Sequence, residues 1–282
     1  MQSIQENNLK EISVSILGCG WLGLPLAEKL YSKKYNVLGS TTSIDKLIDL
    51  EKKGIKPTLI ELNPSFNIDA NHKFLQSDFL IICFPPKLRK KGNEFYLNQI
   101  ESLSKNLNKF KASKIIFTSS TSVYQNLNKV MFENDVDKSH VLFKAEELLV
   151  NAAKKNQKKL NILRLSGLMG YDRIPCKYFA GKKGLENGEN PVNYIHRDDV
   201  IGIISALMEN EIWGETLNLT APYHPKRKDV MQACSNITGY EPAEFIESKT
   251  TTFKEINGNK LSSLLNYKFK YPNPLEFQYL KP

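Results

Sequence analysis

The sequence predicts an α/β protein, a doubly wound parallel sheet with a smaller C-terminal region. Three observations carry that expectation. Over the first 166 residues, short β-branched runs alternate with Lys-rich stretches of helical periodicity, the rhythm of βαβ units. The first such run passes directly into Gly18-Cys19-Gly20-Trp21-Leu22-Gly23 and then an amphipathic segment. Beyond residue 166 the rhythm gives way to a loop-rich stretch punctuated by Gly170, Pro175, Gly181, Gly188 and Pro191.

Taken in order, Ile12 to Leu17 (ISVSIL) reads as a strand, and Leu22, Leu26, Ala27 and Leu30 recur at helical spacing after the glycines. Further strands are expected at Tyr35–Leu38, Thr58–Leu62, Asp78–Phe84, Lys114–Ser119 and Leu160–Leu165. Helices are expected at Thr42–Lys53, Glu94–Phe110 and Ser139–Lys155 between them. Right-handed crossovers then place the first strand near the centre of the sheet. In the C-terminal part, a helix is expected over Asp199–Glu209, capped by Asp198 or Asp199, and another over Arg227–Thr238, stopped by Gly239. The closing YKFKYPNPLEFQYLKP reads as a packed irregular tail. The division expected is 1–166 for a dinucleotide-binding domain and 167–282 for a smaller substrate-binding region packed partly back on it.

Composition narrows the class. A chain of 282 residues, 41% hydrophobic and 24% charged, can bury a sizeable core and is neither disordered nor collagen-like. No apolar run reaches the ~18 residues of a membrane span, and MQSIQENNLK lacks the apolar stretch of a secretion signal. Cys19, Cys83, Cys176 and Cys234 form no C-x-x-C pair, which fits a reduced cytoplasm better than a disulfide framework or a metal site. The net charge of +9 comes from 39 basic residues of which only five are arginine, and the lysines are dispersed. That pattern reads as a solvated surface rather than a nucleic-acid footprint. The densest basic cluster, Lys87 to Gly92, sits where a lid over an anionic ligand would be.

A G-x-G-x-x-G between a strand and a helix is a dinucleotide fingerprint. Gly18 allows the tight turn, Gly20 lets the backbone approach a pyrophosphate, and Gly23 lets helix and strand pack closely, with Trp21 and Leu22 completing the loop. The second strand leads into Gly39-Ser40-Thr41-Thr42-Ser43 without the acid that would select NAD. The hydroxyls of Thr41 and Thr42, with Lys46 nearby, can accept a 2′-phosphate, so NADP is favoured over NAD. The same hydroxyls could equally cap the following helix. Phe84 and Pro85 end the strand expected beside the first and should border the pyrophosphate.

The strand KIIFTSSTSVY, Lys114 to Tyr124, carries its hydroxyls at the carboxyl end, where open α/β sheets bind ligands. With ILGCGWLGLPLA, LRLSGLMG, VNYIHRDDVIGII and GETLNLTAPYHPKRKDV in sequence, the chain resembles the extended short-chain dehydrogenase/reductases, the NAD-dependent epimerase/dehydratase group with its Rossmann fold. It looks closest to the atypical YeeZ-like branch, from about Ile12 to Leu275.

The resemblance implies that Ser120 would donate a hydrogen bond to a substrate carbonyl or hydroxyl. It also implies a Tyr-x-x-x-Lys pair at the next helix. Lys144 can fill the lysine role and would hold the cofactor's nicotinamide ribose, but His140 stands where the tyrosine should be. Histidine can relay a proton near neutral pH; the alternative is a surface residue before a helix, with Lys144 a solvated lysine. Tyr124 is a second phenol near Ser120 and a candidate to touch the substrate, although the family's Val-Tyr pair is usually structural; Arg173 and Lys177 fall where the family builds its substrate pocket, and His196 is read as structural. The implied function is an NAD(P)-dependent oxidoreductase or epimerase-like protein acting on a small polar, sugar-nucleotide-like molecule. A catalytically silent NADP-binding redox sensor is the alternative. No metal, membrane or nucleic-acid partner is expected, and both monomer and homodimer stay open.

Overall fold

The computed structural model of the chain describes residues 12–63, 65–66, 68–247 and 251–280. The elements run β1 (Ser13–Leu17), α1 (Gly23–Ser32), β2 (Asn36–Thr41), α2 (Asp45–Lys52), β3 (Lys56–Leu59), β4 (Phe79–Ile82), α3 (Leu88–Lys91), α4 (Asn93–Lys105) and β5 (Lys114–Ser120). They continue with β6 (Lys129–Met131), α5 (Val141–Lys155), β7 (Lys159–Leu165), β8 (Gly167–Met169), β9 (Tyr194–His196), α6 (Arg197–Glu209), β10 (Thr216–Leu219), α7 (Arg227–Thr238), β11 (Lys254–Ile256) and α8 (Asn259–Leu264). Seven strands form one sheet in the order β10-β7-β5-β4-β1-β2-β3, the doubly wound arrangement that the sequence predicts.

The chain divides into two compact units, Met1–Ile115 with Ala152–Lys159, and Ile116–Asn151 with Leu160–Pro282. The first unit ends within β5 and takes in the last turn of α5, and the second holds the rest of β5 and nearly all of β7.

In the first unit β1 pairs in parallel with β2 (Val14 opposite Val37) and with β4 (Ile16 opposite Ile81), and β2 pairs with β3. The chain winds outward from β1 to β3 and then returns to the other flank of β1. Strand order thus reverses between β1 and β4, which opens a crevice beyond their carboxyl ends. Val14, Ile16, Leu80, Ile81 and Ile82 are fully buried, as strands covered on both faces require. Leu26, Ala27 and Leu30 give α1 a buried stripe at helical spacing.

In the second unit β10 pairs in parallel with β7, Leu219 opposite Leu165. Two small parallel pairs accompany it, β11 with β6 and β8 with β9. The helix α7 ends as expected at Gly239, whose φ of +80° suits glycine. The cap of α6 is neither Asp198 nor Asp199. His196 Nδ1 accepts from the Asp198 amide at 3.2 Å. Asp199, fully buried, instead accepts from the Lys270 and Tyr271 amides at 2.7 and 3.0 Å and from Tyr267 Oη at 3.1 Å, which pins the irregular tail. Tyr271 and Phe277 of that tail pack on the His196 ring, their centroids 3.9 and 5.4 Å away. Burial draws the His196 pKa down to about 4.

The cysteine expectation needs correction. Cys176 and Cys234 form a disulfide, with Cα atoms 5.9 Å apart, in a buried cluster with Ile174 and Met231. Its partners lie 58 residues apart and meet only because the turn Cys176–Tyr178 folds against α7. Cys19 and Cys83 are free thiols.

Candidate functional site

The glycine loop follows β1 directly. Gly18 adopts φ +105°, and a Cβ there would sit 3.0 Å from the Phe84 amide nitrogen. The loop is tied back to β2: the Gly18 amide donates to Ser40 Oγ and the Cys19 amide to Ser40 O, both at 2.8 Å. A Cβ on Gly23 would lie 2.1 Å from Gly18 O, so only glycine lets α1 start this close to the loop. A Cβ on Gly20 would meet nothing within 4 Å, because that position faces an open cavity. At the N-cap of α1 stands Leu22, which offers no side-chain acceptor, and the first turn carries no acid. Its N–H groups are thus oriented for an anion.

The cavity measures about 480 Å³, and Gly18, Gly20, Thr41, Thr42, Phe84 and Pro85 are among the residues that line it. These sequence-identified residues are brought together. Trp21, half-buried, and Leu22, buried, flank the wall without lining it. Of the hydroxyls after β2, Ser40 is spent on the Gly18 amide, and Thr41 Oγ1 accepts from the Ser43 amide at 3.2 Å. Thr42 and Lys46 remain exposed at the rim and can meet a phosphate. Ile44 stands at the N-cap of α2 with no side-chain cap, so these hydroxyls do not cap the helix. Lys87 and Lys91 of the basic cluster also line the cavity. Sequence reasoning missed Ile60, Glu61, Leu62 and Asn63 after β3 and Phe95 and Gln99 of α4. The end of β3 was a readable signal, since ligands gather at strand ends.

Cys19 lies beneath the loop, 6% exposed, and burial pushes its thiol up to about 12. It stays protonated and acts as a small buried hydrophobe.

In the second unit, Ser120 ends β5 and caps the turn that follows. Its Oγ accepts from the Ser122 amide at 3.2 Å and lies 3.0 Å from Ser122 Oγ, a hydroxyl pair in which either oxygen can be the donor; when Ser122 donates, the Ser120 proton can reach a substrate oxygen. His140 precedes α5, and its Nδ1 accepts from the Leu142 amide at 3.2 Å. That bond fixes the proton of the neutral ring on Nε2. Burial, the largest cause, lowers the His140 pKa against the opposing pull of Asp137. So held, the ring can donate a hydrogen bond but has no free lone pair with which to take a proton. Lys144 stands one turn further, exposed, with no hydrogen bond or ion pair from its ammonium among the described residues.

Tyr124 is placed in the interior, 2% exposed, not in a substrate cleft. Its Oη donates to Asn218 Oδ1 at 2.6 Å and accepts from Arg164 Nη1 at 2.9 Å, and burial pushes its pKa up to about 12. Arg164 also grips Glu146 through Nη2 at 2.6 Å and Nε at 3.1 and 3.2 Å, while Ser119 Oγ donates to Glu146 at 2.5 Å. The phenol is a structural strut, with nothing left for a ligand. Arg173 is half-buried beside Asp172, Tyr178 and Arg197, and burial lowers its pKa. Lys177, in the turn that carries Cys176, is exposed.

The sequence is 35% identical over 270 residues to protein YeeZ of Escherichia coli K12, across 93% of this chain and 97% of that protein. The chain belongs to the YeeZ family. The resemblance to the YeeZ-like branch drawn from the motifs is thereby borne out. No family model matches the chain. Among solved structures, its fold is shared by MoeE5 in complex with UDP-glucose and NAD, at TM-score 0.75 and 16% identity over 95% of this chain and 97% of that one. It is shared equally by UDP-glucuronic acid 4-epimerase of Bacillus cereus in complex with NAD, at TM-score 0.75, 20% identity and the same coverage. A conserved protein of unknown function from Silicibacter pomeroyi matches at TM-score 0.70 and 17% identity, over 93% and 95% of the two chains.

Proposed function

We propose that this member of the YeeZ family binds a nicotinamide dinucleotide, NADP in preference to NAD, as an oxidoreductase or epimerase-like protein for a small polar substrate. The observation that carries the reading is the cradle at Gly20: an open cavity of about 480 Å³ faces the one loop position where a side chain would meet no protein atom. The loop amides and the first turn of α1 would hold the pyrophosphate, and Thr42 and Lys46 a 2′-phosphate. MoeE5 and the Bacillus cereus epimerase, solved with NAD, support a nicotinamide cofactor. When bound, that group supplies hydride chemistry.

Ser120 would orient a substrate oxygen through its hydroxyl, with Ser122 as the donor of the Ser122–Ser120 pair. His140 would donate from Nε2, and a proton relay through it would require release of the Leu142 amide. That requirement favours a second reading, a silent dinucleotide sensor, for which the exposed, unengaged Lys144 also speaks. No helix among the described residues is long and apolar enough to cross a membrane.

Titration with NADPH should quench the fluorescence of Trp21, with Trp21→Phe as the control for Trp213. No response to NADPH or NADH would overturn the cofactor assignment. Turnover of NADPH with carbonyl compounds or sugar nucleotides, abolished in Ser120→Ala, would support the enzyme; tight binding without turnover would support the sensor.

A further inference from the structure

A second cavity, wholly within the C-terminal unit, holds two cations and no acid. It measures about 200 Å³, and its walls include Thr121, Ser122, Asn126, Tyr194, Arg227 and Lys254. Ser122 Oγ lies 3.0 Å from Ser120 Oγ, so the cavity opens beside the hydroxyl assigned above to the reacting group.

The walls are fixed to one another. Asn193 Nδ2 donates to Lys254 O and its Oδ1 accepts from the Ile256 amide, both at 2.8 Å. Asn190 Nδ2 donates to Thr252 O at 3.1 Å, and Asn190 O accepts from the Arg227 amide at 2.9 Å. These asparagines are spent on the scaffold and leave recognition to the cations.

Neither cation is neutralised. Arg227 Nε is buried with no hydrogen-bond partner, and among the described residues no carboxylate pairs with the guanidinium. The nearby acid is already taken: Glu189 pairs with Lys226 and Lys228, which flank Arg227 in sequence. Lys254 Nζ spends one of its three protons on Tyr124 O at 2.5 Å and has no carboxylate partner among the described residues. Burial lowers its pKa, as expected of a desolvated ammonium without a counter-charge. Two partly buried cations around an acid-free polar cavity are costly unless an anion completes them.

We propose that this cavity is an oxyanion subsite, in which the fork of Arg227 and the ammonium of Lys254 hold a carboxylate or phosphate carried by the substrate close to its reacting carbon. The volume suits one charged substituent with a few carbons, not a nucleotide. The substrate class is accordingly an acidic or phosphorylated sugar-like molecule. The functional meaning rests on the proposed reading of Ser120, whereas anion binding itself needs no dinucleotide.

The test is ligand-observed NMR at fixed salt with D-glucuronate, D-glucose 6-phosphate and D-glucose, with and without NADPH. At least one anionic sugar should bind tenfold or more tightly than glucose, and Arg227→Gln and Lys254→Met should each weaken that binding by tenfold or more. Glucuronate alone would assign a carboxylate, glucose 6-phosphate alone a phosphate, and both together the shared oxyanion chemistry. Equal binding of glucose, no binding of either anion, or unchanged binding in the folded variants would overturn the inference. If Arg227→Gln does not fold, Arg227→Lys, which keeps charge but loses the fork, is measured in its place. NADPH binding followed on the same samples separates the two claims: anion binding without NADPH binding refutes only the dinucleotide reading, and the reverse refutes only this subsite.

Discussion

Replacing Glu146 by Gln keeps the shape of the side chain and removes its charge, which isolates what the buried ion pair contributes. Arg164 and Glu146 are 4% and 2% exposed at their side chains, and the guanidinium makes three contacts to the carboxylate. Arg164 has two further acceptors, Tyr124 Oη and Glu133 O, both neutral. Glu146→Gln therefore leaves the interior guanidinium without the one carboxylate bonded to it among the described residues, a change that costs about 3–5 kcal/mol. The double variant Glu146→Leu with Arg164→Met removes both charges and should recover most of that loss. Urea unfolding followed by circular dichroism reads both values. A loss below about 1 kcal/mol for Glu146→Gln, or a double variant no better than the single, would refute the assignment of this cluster, and of Tyr124 within it, to the framework.

Three further outcomes follow from the geometry. Gly23→Ala should destabilise by about 1–3 kcal/mol despite the better helix propensity of alanine, because its Cβ would lie 2.1 Å from Gly18 O; unchanged thermal stability would contradict the close approach. His196 is held neutral, its pKa depressed from 6.5 to about 4. The unfolded state then binds the extra proton, so stability should fall as pH drops from about 6.5 towards 4, by about 2–3 kcal/mol, and His196→Phe should flatten that slope. Alkylation in denaturant without reductant should label Cys19 and Cys83 only, and with reductant all four cysteines. Four labels without reductant would refute the Cys176–Cys234 pair.

The parts of this protein legible in the sequence are those whose partners lie close along the chain. The β1 turn and α1 occupy one continuous stretch, so glycine spacing and apolar periodicity revealed both, and Gly239 marked the end of α7 by local conformation alone. What escaped was set by distant partners. The pairing of β6 with β11 joins Lys129 to Lys254, and Cys176 meets Cys234 across 58 residues. Tyr124 looked like a phenol near the site because its burial depends on Arg164 and Asn218, from other strands. Thr41 looked like a phosphate ligand, but its Oγ1 accepts from the Ser43 amide. Arg227 and Lys254 gave no motif at all; only the fold brings them to one cavity.

The central claim, a dinucleotide cradled at Gly20, is tested most directly by calorimetric titration of NADPH and NADH into the wild type and Gly20→Val. The account predicts one site per chain, tighter for NADPH, and loss of binding in Gly20→Val with thermal stability retained, since nothing in the protein lies within 4 Å of the new Cβ. Absence of binding by either nucleotide, or equal binding by the valine variant, would contradict it.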